Sequence, residues 1–228
     1  MLALGIDTAT AATTTAVVEV TADRLRVRAE RTEVDPRGHG ELLAPQLTAV
    51  LAAAGTRPDE LAAVVVGTGP GPYTGLRIGL VTAAAIGQAL EIPTYPVGSL
   101  DALAATAGIE DRLLVATDAR RREIYWAVYQ AGARVAGPAV DRPAVVAGRL
   151  AGLGVRVALG EGVHRFAGEF AGLGLELRDR PRHPAAAALV RLAADRIRSA
   201  APEEPLIPCY LRRPDAAQPG PAKPVLSR

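Results

Sequence analysis

Two aspartates and a glycine-rich loop are the residues best placed by type and spacing to do chemistry. The stretch GTGPGPYTGLRIGL, Gly67 to Leu80, joins a β-branched run to an apolar helical pattern, the usual setting of a phosphate cradle. A cradle of the G-x-x-x-x-G-K-[ST] type needs a Lys for the terminal phosphates and a hydroxyl for Mg²⁺. Counted from Gly69, GPGPYTGL has neither the second Gly at its place nor the Lys, and the dinucleotide pattern G-x-G-x-x-G fails at Thr74. Pro70 and Pro72 also remove two of the backbone N–H donors from which such a nest is built. GIDTAT sets Asp7 at a strand end before Thr8 and Thr10, where an Asp-x-Gly-[Ser/Thr] phosphate loop has a glycine. Here Ala9 stands in that place, and its Cβ crowds a γ-phosphate. Asp118 in ATDARRREIYW is the counterpart in the second half, with Arg120 to Arg122 on a hairpin turn. Such a triplet can meet phosphates or RNA, although a solvated charge run is its commoner role. Gly160 and Gly162 of ALGEGVHRF fall where an adenosine-binding double-glycine loop would sit, but they are separated.

Other chemistries are poorly supplied. His39, His164 and His183 are dispersed, with no H-x-x-x-H or H-E-x-x-H pattern, so no metal site is expected. His39, with Glu41 close by, could be read as catalytic, but a surface or capping role suits it better. There is no G-x-S-x-G, and Cys209, beside Pro208, has no sign of a paired base.

The elements that must position these residues follow from periodicity. LALGIDTA and TTTAVVEV read as buried strands. RLRVRAERTEV alternates Leu25, Val27 and Ala29 against arginines and reads as a half-exposed one. HGELLAPQLTAVLAAAG is helical, with Leu43, Leu47, Val50 and Ala54 on one face and Gly55 as its stop. LAAVVVGTG is a buried strand, and the helix after it carries Gly75, Gly79, Ala83 and Gly87 at every fourth place. Glycine inside a helix costs about 1 kcal/mol relative to alanine, so this smooth ridge wants a packing reason. Leu76, Ile78, Leu80, Val81 and Ile86 make the same helix apolar on its other faces. Two explanations stand: a wholly internal core helix, or a helix covered in part by a second protein. The second half starts afresh with strands at RLLVATD and EIYWAVYQAG and a helix at PAVVAGRLAGLG. Strands at VRVALGEG and LELRDR follow, with a short helix HRFAGEF between them. A long helix is expected over Pro184 to Ser199.

Composition sets outer limits. The chain has 228 residues, 49% hydrophobic and 22% charged, as in ordinary globular proteins. Its net charge of +2 excludes the one-signed field of a protein that binds nucleic acid unaided. No apolar run approaches the ~20 residues of a membrane span, and the N-terminus has no basic region of a signal peptide. The single cysteine excludes an internal disulfide and fits a reducing cytosol.

Each half opens with a strand ending in aspartate, turns into a hairpin and then alternates helix and strand. This predicts an α/β fold of two related lobes, each a mixed β-sheet covered by helices, the layout of the actin/Hsp70-like (ASKHA) superfamily. The predicted division is an N-terminal lobe over 1–98, a C-terminal lobe over 99–213 and a disordered tail over 214–228. Taken together, GIDTATAATTTAVVEV, HGELLAPQL, GTGPGPYTGLRIGL, DARRREIYWAVY and PCYLRRP resemble the bacterial TsaB (YeaZ) family, in the right order from Met1 to about Pro214.

The resemblance implies a degenerate, non-catalytic relative of the subunit TsaD, which itself carries the metal-binding H-x-x-x-H and the nucleotide-lobe glycines. With a TsaD-type catalytic subunit and a TsaE-type ATPase, such a protein supports transfer of a threonylcarbamoyl group to tRNA, which it meets only indirectly. It has no cofactor of its own; ATP or ADP would sit only at the interface with the partner. The expected place is the cytoplasm, away from membranes, with a homodimer when alone. The resemblance also implies contact with TsaD through the first two helices, His39 to Ala54 and Thr74 to Leu90. On that basis Leu43, Leu47, Val50, Leu76 and Leu80 are expected as interface anchors. Gly75, Gly79 and Ala83 would set a close helix spacing, Thr74 would cap the helix, and Arg77 would make a rim or cross-partner salt bridge. Asp7, Thr8, Thr10, Asp118, Arg120, Gly160 and Gly162 would then be degenerate nucleotide loops. The alternative from the residues alone is an ATPase of the same superfamily using Asp7 and Asp118, and a peptidase is a more distant one.

Overall fold

The computed structural model describes residues 1–212. The expected disordered tail from 214 and the last residue of the expected second lobe lie outside them. The chain begins with a three-strand meander, β1 (Leu2–Asp7), β2 (Ala12–Val20) and β3 (Leu25–Val34). It continues through α1 (His39–Ala54), β4 (Leu61–Gly67), α2 (Tyr73–Leu90) and β5 (Thr94–Val97). These strands form one sheet in the order β3-β2-β1-β4-β5, antiparallel through the meander and parallel from β1 to β5. After α3 (Ser99–Ala107) the pattern repeats. A second meander, β6 (Leu113–Asp118), β7 (Ile124–Gln130) and β8 (Ala133–Asp141), leads into α4 (Pro143–Leu153) and β9 (Val157–Leu159). Then come α5 (Glu161–Arg165), α6 (Ala167–Phe170) and β10 (Glu176–Leu177). The second sheet runs β10-β9-β6-β7-β8. Two mixed five-stranded sheets with the same strand order, each covered by helices, make an actin/Hsp70-like fold, as the layout of the sequence predicts.

Alternation along β1 decides what covers the first sheet. Leu4 and Ile6 point to one side, where they meet Leu43, Leu47 and Val50 of α1 and Leu76, Leu80 and Ala83 of α2. Ala3 points to the other side and packs with Ala186, Leu189, Val190 and Ile197. A Cβ on Gly5 would run into the backbone of Ala186, so the small residues of β1 let a helix lie close on that face. That helix comes from far along the chain. The single long helix expected over Pro184 to Ser199 is two short ones, α7 (Ala186–Leu192) and α8 (Ala194–Arg198), which meet at Ala193 and contact the first sheet. The rest of the described chain runs back over the first sheet's helices as a strap. Cys209 N–H donates to Thr68 O at 2.8 Å, and Leu206 and Tyr210 pack on the α1/α2 core.

β3 departs from the simple alternation predicted for it. A register shift opposite Val17 and Val18 skips Arg28, so Leu25 faces the α7 side and Ala29 the α1 side, while Val27 is exposed. A bulge inserts a residue and reverses the facing of everything beyond it.

Candidate functional site

The two aspartates end the first strands of their sheets, as the sequence predicts, but neither carboxylate is open. Asp7 is 1% exposed. Its Oδ1 accepts the Ala9 N–H at 2.9 Å and its Oδ2 accepts the Ser99 hydroxyl at 2.5 Å. Gly67 lies directly on the carboxylate, where a Cβ would collide with it. Burial pushes the Asp7 pKa up to about 6, against the two hydrogen bonds that lower it. Thr8 is equally engaged, donating to Gly75 O at 2.7 Å and accepting the Gly79 N–H at 3.0 Å. Thr10 Oγ1 accepts the Ala12 N–H at 3.2 Å. The glycine-rich loop fills the remaining space, because a Cβ on Gly71 would stand 2.9 Å from Ala9 Cα. The stretch that resembles a cradle is therefore a lid packed on the Asp7 turn. Ser99, the first residue of α3, ties that lid down by also accepting the Gly69 N–H at 3.1 Å. Its only sequence signal was a serine following a glycine at a helix start.

An acid whose native pKa lies above its unfolded value favours folding most when protonated. For Asp7 that contribution is complete below the unfolded value of 3.8 and is lost as the pH rises through about 6. A gap of about two pH units between the native and unfolded values corresponds to about 3 kcal/mol. Asp7→Asn cannot ionise, so its stability relative to the unsubstituted chain is expected to rise by about 3 kcal/mol from about pH 4 to about pH 7. Urea midpoints of the pair across that range read this out. The imidazoles of His39 and His183, both pushed down by burial, titrate in both proteins and drop out of the difference. A difference that does not change with pH would show that Asp7 is not buried as described.

His39 is neither on the surface nor poised as a base. It is buried, bonded through Nδ1 to Thr13 Oγ1 at 2.7 Å, with its ring against α2, where a Gly75 Cβ would stand 3.0 Å from Cδ2. In the second lobe, Asp118 accepts the Arg120 N–H at 3.2 Å and lies 3.8 Å from the Arg165 guanidinium. Gly160, at φ 103, and Gly162 press on the backbone of β6. A Cβ on Gly162 would be 2.9 Å from Thr117 O, so this pair closes a packing contact rather than an open loop. The two lobes meet where the Tyr125 hydroxyl donates to Gly71 O at 3.4 Å, beside a hollow of about 160 Å³ between Tyr73, Tyr210, Arg120 and Arg212.

The partner residues expected on α1 and α2 divide sharply. Leu43, Leu47, Val50, Gly75, Leu76, Gly79, Leu80 and Ala83 are buried inside this chain. They hold α1 and α2 on their own sheet; Gly75 and Gly79 receive Thr8, and Gly87 receives Thr94 of β5. Thr74 and Arg77 are on the surface. Thr74 does not cap the helix: the extended residue before it is Pro72, so Thr74 is already helical and its hydroxyl lies beyond the capping place. Among the described residues Arg77 makes no salt bridge within its own chain. It donates to the Tyr210 hydroxyl at 2.9 Å and lies 4.1 Å over the Tyr73 ring, which stacks on Tyr210.

The outward side of α2 is a different set of residues. Val81 is 66% exposed, and Ala84, Ala85, Gln88 and Ala89 are exposed with it. Ile78 and Ile86 are half-buried beneath them, and Ile78 Cδ1 is 3.9 Å from the place of a Cβ on Gly40 of α1, so the two helices share this face. No charged residue occurs between Arg77 and Glu91.

The family model for TsaD, tRNA N6-adenosine threonylcarbamoyltransferase, matches residues 27–179, about two thirds of the chain. The uncharacterized protein Rv3421c of Mycobacterium tuberculosis is 47% identical over 213 residues, 93% of this chain and 92% of that protein. The uncharacterized protein ML0378 of Mycobacterium leprae is also 47% identical, and this chain spans 56% of its length. The tRNA threonylcarbamoyladenosine biosynthesis protein TsaB of Escherichia coli is 37% identical over 101 residues, 43% of this chain and 44% of that protein. Among solved structures, one described as similar to peptidase YEAZ from Pseudomonas aeruginosa superposes with a TM-score of 0.75 at 29% identity. It covers 92% of this chain and 99% of its own. The YeaZ structure from the same organism gives 0.73 at 27% identity, covering 92% and 100%. On sequence and on fold, this chain belongs to the TsaB (YeaZ) family.

Proposed function

We propose that this chain is a non-catalytic subunit of the assembly that makes tRNA threonylcarbamoyladenosine, and that it docks a TsaD-type catalytic subunit on the outer face of α1 and α2. The observation that carries the reading is the uncharged, exposed side of α2 around Val81. A helix face turned to water normally carries charge, and an uncharged alanine- and valine-lined one suits close packing against another protein. The names of the E. coli and Bacillus subtilis relatives supply the pathway. The lack of catalysis rests on the Asp7 turn, whose carboxylate, hydroxyls and approach are all taken up internally. A TsaE-type ATPase joins through the catalytic subunit, any ATP or ADP lies at the shared interface, and the isolated chain pairs with itself through the same apolar face. The assembly works in the cytoplasm, and among the described residues no helix is long and apolar enough to cross a membrane.

Mixing the chain with a cognate TsaD-type subunit at micromolar concentration and separating by size should give a stable complex. Two separate peaks would sink the proposal. Calorimetric titration of the chain alone with Mg·ATP should show no heat of binding. Tight binding with turnover lost on Asp7→Ala would instead make it an ATPase.

A further inference from the structure

We infer that the tip of the β6–β7 hairpin, Arg120 to Arg122, with Arg142 beside it, contacts the phosphate backbone of the RNA that the assembly modifies. This rests on the function proposed above and goes beyond the indirect encounter with tRNA that the family resemblance implies. Three observations point to a polyanion. The first is backbone form: Arg120, Arg121 and Arg122 have φ of 61, 53 and 60°, three successive left-handed residues without a glycine. L side chains pay for that conformation, and such outliers gather where a loop clamps a ligand. The turn is held in it by Glu123 N–H to Arg120 O at 3.0 Å and Ala119 N–H to Glu123 O at 2.9 Å.

The second is charge. Among the described residues, Arg120, Arg122 and Arg142 form no ion pair; of the carboxylates near Arg120, Asp118 is shared with Arg165 and the Arg120 N–H, Glu161 lies beside His183, Arg165 and Arg182 as well as Arg120, and Glu123 is held by Arg212. Of the described residues, Glu169 is the only carboxylate lining the hollow of about 320 Å³ that Arg121, Arg122 and Arg142 share. A chain of net charge +2 thus concentrates positive charge at one tip.

The third is chemistry that favours RNA over an acidic peptide. The tip divides two hollows, one floored by Phe166 and the other walled by Tyr73 and Tyr210. Tyr73 is already taken up by Arg77 and by its stack on Tyr210, so the tip meets a strand chiefly through guanidinium groups that pair with phosphates, with Phe166 as the ring beside them for a base. Tyr73 also begins α2, so the hollow it walls adjoins the start of the helix on which the partner is proposed to dock.

The test replaces Arg120→Asn, Arg121→Gly and Arg122→Asn together. Asn and Gly accept left-handed backbone, so the turn survives while three charges go. Binding of fluorescein-labelled tRNA to the complex with the TsaD-type subunit is followed by anisotropy from about 50 to about 300 mM salt. We expect affinity to fall about tenfold or more, and the slope of log K against log salt to lose about two to three. Size exclusion should show the complex itself unchanged, and the triple Lys variant should keep the slope. Unaltered affinity and slope in the Asn-Gly-Asn variant overturn the inference. So does polyglutamate that competes as well as RNA of equal charge, which assigns the tip to acidic protein. If the unsubstituted chain forms no complex, the proposed function fails first; the chain alone and its Asn-Gly-Asn variant are then compared at about 50 mM salt, where a weak unaided contact is strongest, and equal affinities overturn the inference.

Discussion

Val81→Asp is expected to abolish association with the TsaD-type subunit while leaving the fold intact. Val81 is 66% exposed, so its side chain contributes little to this chain's own core. Surface replacements of that kind shift stability by only about 0.5 kcal/mol. In a packed complex the same site would bury an unpaired carboxylate. Truncation at a central interface site costs about 2 to 4 kcal/mol, and an unpaired buried charge adds to that, so the dissociation constant should rise by a factor of about 30 to about 1,000. Titration calorimetry gives the constant, and thermal melts show that the variant is folded. Val135→Asp is the control: that valine is 50% exposed on β8, in the second lobe, and its replacement should leave binding alone. A dissociation constant within about threefold of the unsubstituted value for Val81→Asp would remove the α2 face from the interface.

Gly79→Leu is expected to fail for the opposite reason, by damaging the fold of the first lobe. A Cβ at that position stands 2.5 Å from Thr8 Oγ1, the hydroxyl that donates to Gly75 O and accepts the Gly79 N–H. Overpacking costs about 1 to 3 kcal/mol, and leaving buried hydrogen-bonding groups unpaired costs about as much again. The sum, about 2 to 6 kcal/mol, is a large part of the total stability of a typical domain. For a chain of this length it lowers the melting midpoint by roughly 10 °C. The two substitutions therefore separate two roles of one helix: Val81→Asp should melt normally and not bind, and Gly79→Leu should melt early or not accumulate. A normal midpoint for Gly79→Leu would place the glycine ridge outside the core.

The contrast between these neighbours shows what periodicity can say. Gly75, Gly79, Ala83 and Gly87 at every fourth place announce that something approaches α2 closely. They do not say what approaches, because the turn after β1 and a second protein would demand the same small residues. The helix was apolar nearly all round, and only the positions of the sheet and strap show which apolar residues are left over. They are Val81, Ala84 and Ala85, not Leu76 or Leu80. Likewise, the misfit of Ala9 and the two prolines to a phosphate loop was legible as side-chain chemistry. That Ser99, far along the chain, locks the Asp7 carboxylate was not, since a lone serine at a helix start has no distinguishing neighbour.

Most of the order of strands and helices, its rough repeat in the two halves and the aspartates at the ends of β1 and β6 were properties of the chain itself; β5, α3 and β8 were not read from it, because their short or Pro- and Gly-interrupted stretches carry little periodicity. Hydrophobic period and turn residues act over a few positions, and a linear reading captures them. The facing of α2, the bulge that turns β3, the return of α7 and α8 to the first sheet and the gathering of arginines and aromatic rings at one hairpin tip were decided only in three dimensions. Each depends on which distant segment reaches a surface first and buries it, and that competition between remote apolar faces leaves no trace in local spacing.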